Sequence, residues 1–242
     1  MHNEKPDNAF ILAAGKGTRL RPYTNTLPKP LVPVNGLAII DHTIKKLLSE
    51  GIEKATINHN YLGDRIIKHF QDREDIKITL SEETEHLETG GGVKKTLHTM
   101  ENKPFYLING DSLWENKDSK NSSLSQLSQF WDSNKMDILL LLQPIDDMNL
   151  TQSVGDYDIT PDGQAIRNKD KKGQYMFTGV RITHPHIFKG SPEGAFSFRD
   201  LMDKAEANNR LYALIHDGIW YHISTPEDLE SVNQAYRKAK TA

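Results

Sequence analysis

The feature of this 242-residue chain that most constrains its fold is an alternation of short apolar runs with amphipathic segments, which extends to about residue 143. Residues 9–13 form an apolar run of strand length, whereas residues 40–50 place their apolar side chains on one face of a helix. Strands and helices that alternate along a chain are typical of βαβ units, whose strands lie parallel in one sheet. We therefore expect an α/β fold with a doubly wound, mostly parallel, Rossmann-like sheet.

The pattern changes near residue 143, and further elements are predicted on both sides of that point. Before it, strands and helices are expected in turn, at 9–13, 40–50, 55–58, 63–70, 76–80, 92–100, 105–109, 124–133 and 136–142. After it, strands with fewer helices between them are expected at 157–160, 174–182, 211–214 and 218–223, with a closing helix at 226–240. Because no linker is evident, we expect a single domain over residues 1–242 whose second half adds a smaller, more antiparallel part.

A glycine-rich loop follows the first predicted strand. From Leu12 to Arg19 it reads Leu-Ala-Ala-Gly-Lys-Gly-Thr-Arg, and its small residues would let backbone N–H groups approach a phosphate chain. The guanidinium of Arg19 is suited to bidentate contacts with phosphate oxygens. Tight turns between strands and helices also use glycine in the absence of a ligand, so the loop alone leaves both interpretations open.

A proline-rich segment after this loop excludes two common nucleotide-binding motifs. A dinucleotide fingerprint needs a third glycine where Leu20 stands and then a helix, which the prolines between residues 22 and 33 prevent. The Gly-Lys-Ser/Thr order of a Walker A loop is also absent from the sequence. The segment instead holds Lys29 between Pro28 and Pro30, whose restricted backbone would present the lysine to a ligand with little loss of entropy. An ordinary solvated lysine is the alternative.

An aspartate and a run of glycines mark two further strand ends. Asp111 follows the predicted strand 105–109, so its carboxylate would project into the cleft at the carboxyl edge of the sheet. There it could hold Mg²⁺ together with substrate phosphates, although a turn or helix-cap aspartate has the same local sequence. The glycines at 90–92 lie at the start of the predicted helix 92–100, where they could allow close approach to a ligand or form a flexible turn.

The two leading motifs together resemble the signature of the sugar-1-phosphate nucleotidyltransferase family. Leu-Ala-Ala-Gly-Lys-Gly-Thr-Arg-Leu-Arg-Pro is followed by Leu-Pro-Lys-Pro-Leu-Val-Pro-Val, and the similarity extends from about residue 10 to residue 233. The resemblance implies a GT-A-like nucleotidyltransferase fold, with a nucleotide-binding half at about 9–143 and a sugar-binding half with the C-terminal helix at about 144–242. Leu-Glu-Thr-Gly-Gly-Gly at 87–92 most closely resembles the N-acetylmuramate-1-phosphate uridylyltransferase branch, which acts in peptidoglycan recycling.

The resemblance also implies roles for individual residues. The residues implied at the reacting centre are Arg19, Lys29 and Asp111. The arginine and the lysine would contact phosphates, and the aspartate would bind Mg²⁺. The residues implied in nucleotide binding are Leu12, Ala13, Ala14, Gly15, Gly17, Thr18, Arg19, Lys29, Glu83, Gly90 and Gly91. The residues implied in sugar binding are Asn109, Asp156, Asn168, Thr178 and Gly179.

The chain departs from the family in its late Trp-x-Asp-Val-Gly-Thr block. Here the block reads Trp-Tyr-His-Ile-Ser-Thr from Trp220 to Thr225, so His222 stands where the family has a second metal-binding aspartate. Imidazole suits transition metals better than Mg²⁺, which prefers oxygen ligands. His222 could reach the metal through water, bind a substrate phosphate, or only fill the space.

The reaction implied by the resemblance needs no general base. A nucleotidyl group would pass from a nucleoside triphosphate, expected to be UTP, to a sugar 1-phosphate, expected to be N-acetylmuramate 1-phosphate, and pyrophosphate would leave. The phosphate nucleophile has a second pKa of about 6 and is largely ionised at neutral pH. The site must therefore align two anions and neutralise their charge, which is the role expected of Arg19, Lys29 and a Mg²⁺ cofactor.

Two alternatives to this function remain open. Within the same class, the chain could be a mannose- or heptose-1-phosphate guanylyltransferase. In a different class, it could be a weakly catalytic nucleotide-sugar-binding module that regulates a partner, an interpretation supported by the replacement at His222.

Composition limits the cellular compartments and the classes of binding partner that we expect. The net charge of −3 provides no basic surface for nucleic acid, and the absence of cysteine excludes disulfides and a thiolate zinc site. The apolar run at 138–142 is too short to cross a bilayer. We expect a cytoplasmic protein without nucleic-acid or membrane partners that is a monomer or a small homo-oligomer.

Overall fold

The computed structural model describes residues 4–117, 121–148 and 154–241, with side chains through residue 238; the rest of the expected 1–242 domain lies outside these ranges. The strands in them are β1 (Ala9–Leu12), β2 (Pro33–Val34), β3 (Leu37–Ala38), β4 (Lys54–His59), β5 (Lys77–Glu82), β6 (Phe105–Asn109), β7 (Leu113–Glu115), β8 (Ile138–Pro144), β9 (Tyr157–Ile159), β10 (Ala165–Arg167), β11 (Tyr175–Thr183), β12 (Leu211–Ile215) and β13 (Ile219–Tyr221). The α-helices are α1 (Ile39–Ser49), α2 (Gly63–Phe70), α3 (Glu88–Lys95), α4 (Ser123–Phe130), α5 (Phe198–Ala207) and α6 (Pro226–Thr241).

A nine-stranded sheet organises the fold. Seven strands lie in the order β5-β4-β1-β6-β11-β8-β12, and β11 is antiparallel to both of its neighbours, whereas the other adjacent pairs are parallel. The β9–β10 hairpin joins the sheet through Tyr175 at the start of β11. The prediction of an α/β fold with a mostly parallel sheet is confirmed, and the antiparallel part consists of β9, β10 and β11.

The sheet is covered on both faces, because successive side chains of its strands point in opposite directions. Ile11 of β1 belongs to a core that contains apolar residues of α1, α2 and α4, whereas its neighbour Phe10 belongs to a core with α3 and α5. The same alternation places Leu139 and Leu140 of β8 in opposite cores. The buried strands therefore carry apolar residues at nearly every position, as the continuous run at 138–142 predicted.

The proline-rich segment forms three short 3₁₀ turns in place of a helix, at Thr18–Leu20, Tyr23–Asn25 and Lys29–Leu31. A third apolar cluster holds this segment against β13 and α6, with Leu20, Val34 and Val232 fully buried in it. The backbone N–H of Asn35 also donates to the Asn233 side chain at 2.8 Å. The C-terminal helix thereby fixes the segment that carries Lys29.

Several predicted elements need correction. The helix expected at 92–100 begins earlier, at Glu88, and ends at Lys95, with a separate 3₁₀ turn at Leu97–Met100. The strand at 211–214 lies parallel to β8, although the second half was expected to be more antiparallel. Helix α5 and the short strands β2, β3, β7 and β10 were not predicted from the sequence.

None of the helices in the described ranges combines the length and the apolar character needed to cross a bilayer.

Candidate active site

Three connected cavities lie at the carboxyl edge of β1 and β6, and Asn109 lines all of them. The loop cavity, of about 490 Å³, lies between the glycine-rich loop and the start of α3. The central cavity, of about 670 Å³, contains Lys29, Asp111 and His222. The hairpin cavity, of about 450 Å³, lies beside the β9–β10 hairpin and α5. Together they form one cleft at the position that parallel sheets commonly use for ligands.

The glycine-rich loop forms one wall of the loop cavity. Nine of the residues predicted to bind nucleotide line this cavity, namely Leu12, Ala13, Ala14, Gly15, Gly17, Thr18, Arg19, Lys29 and Glu83. Gly17 adopts the left-handed conformation, with φ of 58°, and a Cβ there would lie 2.9 Å from Lys29 Cβ. The position therefore requires glycine both for its backbone angle and for the close passage of the lysine segment.

Gly90 and Gly91, which were predicted to bind the nucleotide, do not line the loop cavity. Both residues are buried within α3, and their N–H groups donate to the carbonyl of Phe196 at 2.8 and 3.2 Å. A Cβ on Gly90 would lie 2.4 Å from the Phe196 ring, and one on Gly91 would lie 2.1 Å from the carbonyl oxygen of Gly194. These glycines let α3 pack against the segment before α5, and the neighbouring Glu88 and Thr89 line the loop cavity instead.

Lys29 and Asp111 meet where the loop and central cavities join. Lys29 Nζ lies 2.6 Å from Asp111 Oδ2, and the two side chains are 12% and 40% exposed. Gly110, just before the aspartate, donates its N–H to the carbonyl of Leu12 at 2.8 Å, which ties the end of β6 to the start of the glycine-rich loop. The structure thus brings a cation and a carboxylate together beside the predicted phosphate-binding loop.

Glu83 belongs to a buried hydrogen-bond chain. Asn58 accepts from the backbone N–H of Ala13 at 2.8 Å and donates to Glu83 Oε1 at 2.6 Å. The other carboxylate oxygen of Glu83 accepts from the backbone N–H of Leu87 at 3.3 Å. Glu83 is only 2% exposed, so much of its hydrogen-bonding capacity is used to hold the cavity wall. Sequence reasoning missed Asn58, which ends a predicted strand just as Asn109 does.

His222 lies in the central cavity with Lys29 and Asp111, and its ring packs against Trp220 at a centroid distance of 5.3 Å. Burial lowers the pKa of His222, and the nearby positive charges of Lys29 and Arg19 lower it further. The imidazole is therefore uncharged at neutral pH. His222 therefore lines the same cavity as Asp111, and its role there stays a prediction.

The protein side chains near Asp111 fit a magnesium ion only if the substrate supplies further oxygen ligands. Asp111 offers a partly exposed carboxylate, an oxygen donor of the kind Mg²⁺ prefers. Asp228 accepts from the N–H groups of Ser224 and Thr225 at 2.9 Å each, and so it caps α6. Among the described residues, no three histidine or carboxylate side chains are grouped to hold a metal ion. Asp111 could therefore supply one ligand, with phosphate oxygens and water supplying the others.

The predicted sugar-side residues line the cleft, but two of their side chains are engaged elsewhere. Thr178 is 1% exposed and donates its hydroxyl to the carbonyl of Leu141 at 2.7 Å. Asn168 donates to Asp158 Oδ2 at 2.9 Å and accepts from the N–H of Lys172 at 3.1 Å. These bonds stabilise the bulge of β11 and the turn after β10, respectively, so both side chains help to form the wall of the cleft.

The other three predicted sugar-side residues have positions consistent with that prediction. Asp156 and Asn109 line both the hairpin and the central cavities. Gly179 lines the central cavity with φ of 83°, and a Cβ there would lie 2.3 Å from Ser112 Oγ. Glycine at this position allows β11 to bulge toward the end of β6.

Arg181 is a residue of the hairpin cavity that the sequence analysis missed. It is 2% exposed, and its guanidinium carbon lies 5.3 Å from the ring centroid of Phe177 and 4.4 Å from that of Phe198. Its Nη1 donates to Asn109 Oδ1 at 3.3 Å. Burial lowers the pKa of Arg181 to about 9, which still leaves the group charged at neutral pH. The sequence feature that could have identified this residue is an arginine between Val180 and Ile182 in an otherwise apolar strand.

Comparisons with known proteins show which family the chain resembles. A family model described as nucleotidyl transferase matches residues 8–239. The chain is 33% identical to an N-acetylmuramate alpha-1-phosphate uridylyltransferase from Caulobacter vibrioides, over 93% of this chain and 95% of that protein. It is 30% identical to a D-glycero-alpha-D-manno-heptose 1-phosphate guanylyltransferase from Aneurinibacillus thermoaerophilus, over 96% of each chain.

The fold is also similar to solved structures. A putative glucose-1-phosphate thymidylyltransferase from Bacillus anthracis superposes with a TM-score of 0.78 over 95% of each chain, at 20% sequence identity. At this level of identity the similarity concerns the fold alone.

Proposed function

The chain belongs to the nucleotidyl transferase family, and on that basis we propose that it transfers a uridylyl group from UTP to N-acetylmuramate 1-phosphate. The observation that carries the proposal is the close pair of Lys29 and Asp111 between the loop cavity and the central cavity. This pair lies where a triphosphate bound along the glycine-rich loop would meet a second phosphate. The Caulobacter relative supports the choice of base and sugar, and the guanylyltransferase relative supports the main alternative, GTP with a heptose 1-phosphate.

The proposed reaction is a substitution at the α-phosphorus of UTP. An oxygen of the sugar phosphate forms a bond to that phosphorus, the bond from it to the bridging oxygen breaks, and pyrophosphate leaves with the electron pair. Backbone N–H groups of the glycine-rich loop and the side chain of Arg19 bind the triphosphate, while Lys29 neutralises charge near the reacting phosphates. Because the nucleophile is already an anion, His222 is not needed as a base.

We further propose that Asp111 holds Mg²⁺ together with substrate phosphate oxygens. Magnesium, when bound, would neutralise negative charge on the phosphates. In the structure Lys29 Nζ contacts one oxygen of Asp111, so the lysine and the proposed ion would share the same reacting centre. Residues 9–143 would bind the nucleotide and residues 144–242 the sugar, with both halves acting as one domain.

The test is a matrix of nucleotides and sugar phosphates. The purified protein with Mg²⁺ is incubated with each common nucleoside triphosphate and with N-acetylmuramate, mannose or heptose 1-phosphate, and pyrophosphate release is followed. We expect the highest kcat/KM for UTP with N-acetylmuramate 1-phosphate. A preference for GTP with mannose or heptose 1-phosphate would establish the guanylyltransferase instead. Nucleotide binding without pyrophosphate release from any pair would favour the regulatory module.

A further inference from the structure

The hairpin cavity carries more positive charge than a neutral sugar requires. The basic residues that line it are Arg167, Lys169, Lys171, Arg181 and Arg199, and its acidic lining residue is Asp156. Arg167 is neutralised by Asp203 at 3.1 Å, but Lys169, Lys171 and Arg199 are exposed at the rim. Lys171 and Arg199 also line the central cavity with Arg19 and Lys29, whereas Lys169 and Arg181 line the hairpin cavity without lining the central one. The positive charge of Lys169 and Arg181 therefore favours an anion in the hairpin cavity itself.

Arg181 is the buried cation of this cavity, and within the part of the chain that the structure describes it makes no ion pair with a carboxylate. Its guanidinium lies against aromatic rings and an amide: Phe177 and Phe198 pack on it, and Asn109 accepts one hydrogen bond. Among the described residues, its Nε has no hydrogen-bond partner. A buried cation is normally paired, because the loss of its hydration is otherwise uncompensated. The arrangement is that of a binding group whose anion comes with the ligand.

The neighbouring surface constrains what carries this anion. Tyr157, Phe198 and Met202 line the same cavity and are almost fully buried, so they offer apolar surface to a ligand group beside the anion. Asn109 joins this cavity to Asp111, two residues further along, at the reacting centre. The anion therefore belongs to the sugar end of the substrate.

We propose that the hairpin cavity binds a carboxylate carried by the sugar, and that Arg181 is the residue that determines this specificity. The inference rests on the proposed function and deepens it. The lactyl ether of N-acetylmuramate places a carboxylate and a methyl group on the sugar ring, whereas mannose and heptose 1-phosphates carry no carboxylate. Charge in the hairpin cavity thus selects the acidic sugar over neutral ones.

The test compares two substrates that differ by this group, N-acetylmuramate 1-phosphate and N-acetylglucosamine 1-phosphate, each with UTP. We expect the wild-type protein to prefer the acidic sugar by about 10²-fold in kcat/KM. Arg181→Met should lower kcat/KM for the acidic sugar by about 10²-fold and change that for the neutral sugar less than threefold. Arg181→Lys should retain part of the preference for the acidic sugar. The control is Arg65→Met, which changes an exposed arginine of α2 outside the cleft and should retain the full preference.

The outcomes separate the inference from the function on which it rests. If Arg181→Met slows both sugars equally, Arg181 serves their common phosphate or the fold, and the inference is wrong while the function stands. If the wild-type protein uses neither sugar, the proposed function fails, and the same comparison is made with glucuronate and glucose 1-phosphates. Equal rates for that pair would overturn the inference as well. Methionine replaces a buried charge by an apolar chain of similar length, so we expect Arg181→Met to fold, as thermal unfolding will verify.

Discussion

Lys29 Nζ and Asp111 Oδ2 lie 2.6 Å apart although 82 residues separate them in the chain. The lysine comes from a 3₁₀ turn of the proline-rich segment, and the aspartate follows the end of β6. They meet because β1 and β6 are adjacent parallel strands, with Leu12 opposite Asn109. The pairing of two strand ends therefore creates the centre of the proposed site.

Removal of either member of this pair should reduce turnover with little loss of stability. We expect Lys29→Met and Asp111→Asn each to lower kcat by about 10²–10³-fold, because each removes a charge at the reacting phosphates. A partly exposed ion pair contributes about 1 kcal/mol or less to the free energy of unfolding. Steady-state kinetics with saturating substrates and urea unfolding would measure the two effects.

The matched control for that experiment is Lys46→Met. Lys46 pairs with Glu115 at 3.2 Å, and the two side chains are 16% and 40% exposed, nearly the same values as in the pair at the reacting centre. This second pair does not line the cleft. Turnover should stay within twofold of wild type, and a loss as large as that of Lys29→Met would show a general structural effect.

Metal dependence can be tested by removing divalent ions and by changing His222. Chelation should abolish pyrophosphate release, and Mg²⁺ should restore it. His222→Asp would place a second carboxylate beside Asp111, so the Mg²⁺ concentration for half-maximal turnover should fall by about tenfold. An unchanged magnesium requirement in this variant would mean that position 222 does not reach the metal.

Two glycine positions should separate folding from ligand binding. A Cβ on Gly15 would meet nothing within 4 Å, so Gly15→Ala should leave the free energy of unfolding within about 0.5 kcal/mol of wild type. The added methyl group would still obstruct a phosphate at the loop, and the KM for UTP should rise about tenfold. Gly91→Ala should instead lose about 1–3 kcal/mol, because its Cβ would overlap the Gly194 carbonyl. Equal stability of the two variants would contradict this assignment.

Asn58→Ala should destabilise the wall of the loop cavity. The change removes both the acceptor for the Ala13 N–H and the donor to the buried Glu83 carboxylate. We expect a loss of about 2–4 kcal/mol in the free energy of unfolding and a higher KM for UTP. Asn8→Ala is the control, since Asn8 is also buried, but its side chain makes a single long hydrogen bond among the described residues, from Nδ2 to the carbonyl of Thr99 at 3.4 Å, outside the cleft. A larger loss for Asn8→Ala would refute the special role of Asn58.

His184 lies at the end of the sheet opposite the cleft, and we expect it to make the protein less stable as the pH falls. Burial and the neighbouring His186 lower the pKa of His184 from 6.5 to about 4, so the unfolded chain binds a proton more readily than the folded one. The contribution of uncharged His184 to the free energy of unfolding is complete above about pH 6.5 and is lost as the pH falls toward 4. His184→Asn keeps the side-chain acceptor for the His186 N–H without titrating, and should flatten the dependence measured by urea unfolding. An identical slope in both proteins would argue against His184.

The sequence by itself was enough to predict the sheet and the position of its motifs. Apolar periodicity located the strand Phe105–Asn109 and the helix Gly63–Phe70 to the residue, because a buried element must carry apolar side chains along its own length. The glycines and prolines around Lys29 were equally informative, since their backbone restrictions are local. The order of strands and helices along the chain predicts which motifs lie at the carboxyl edge of the sheet. It therefore placed Lys29 and Asp111 in the same predicted cleft.

Only the tertiary structure decided which polar groups are engaged with the protein and which face the cleft. Gly90 resembled a ligand-binding loop residue, yet the space beside it is filled by Phe196, which lies more than one hundred residues away in the chain. Thr178 resembled a sugar contact, but its hydroxyl bonds to Leu141. Arg181 became significant once its burial between Phe177 and Phe198 was known. Such contacts join distant parts of the chain, and local residue patterns contain no information on which side chain will meet which.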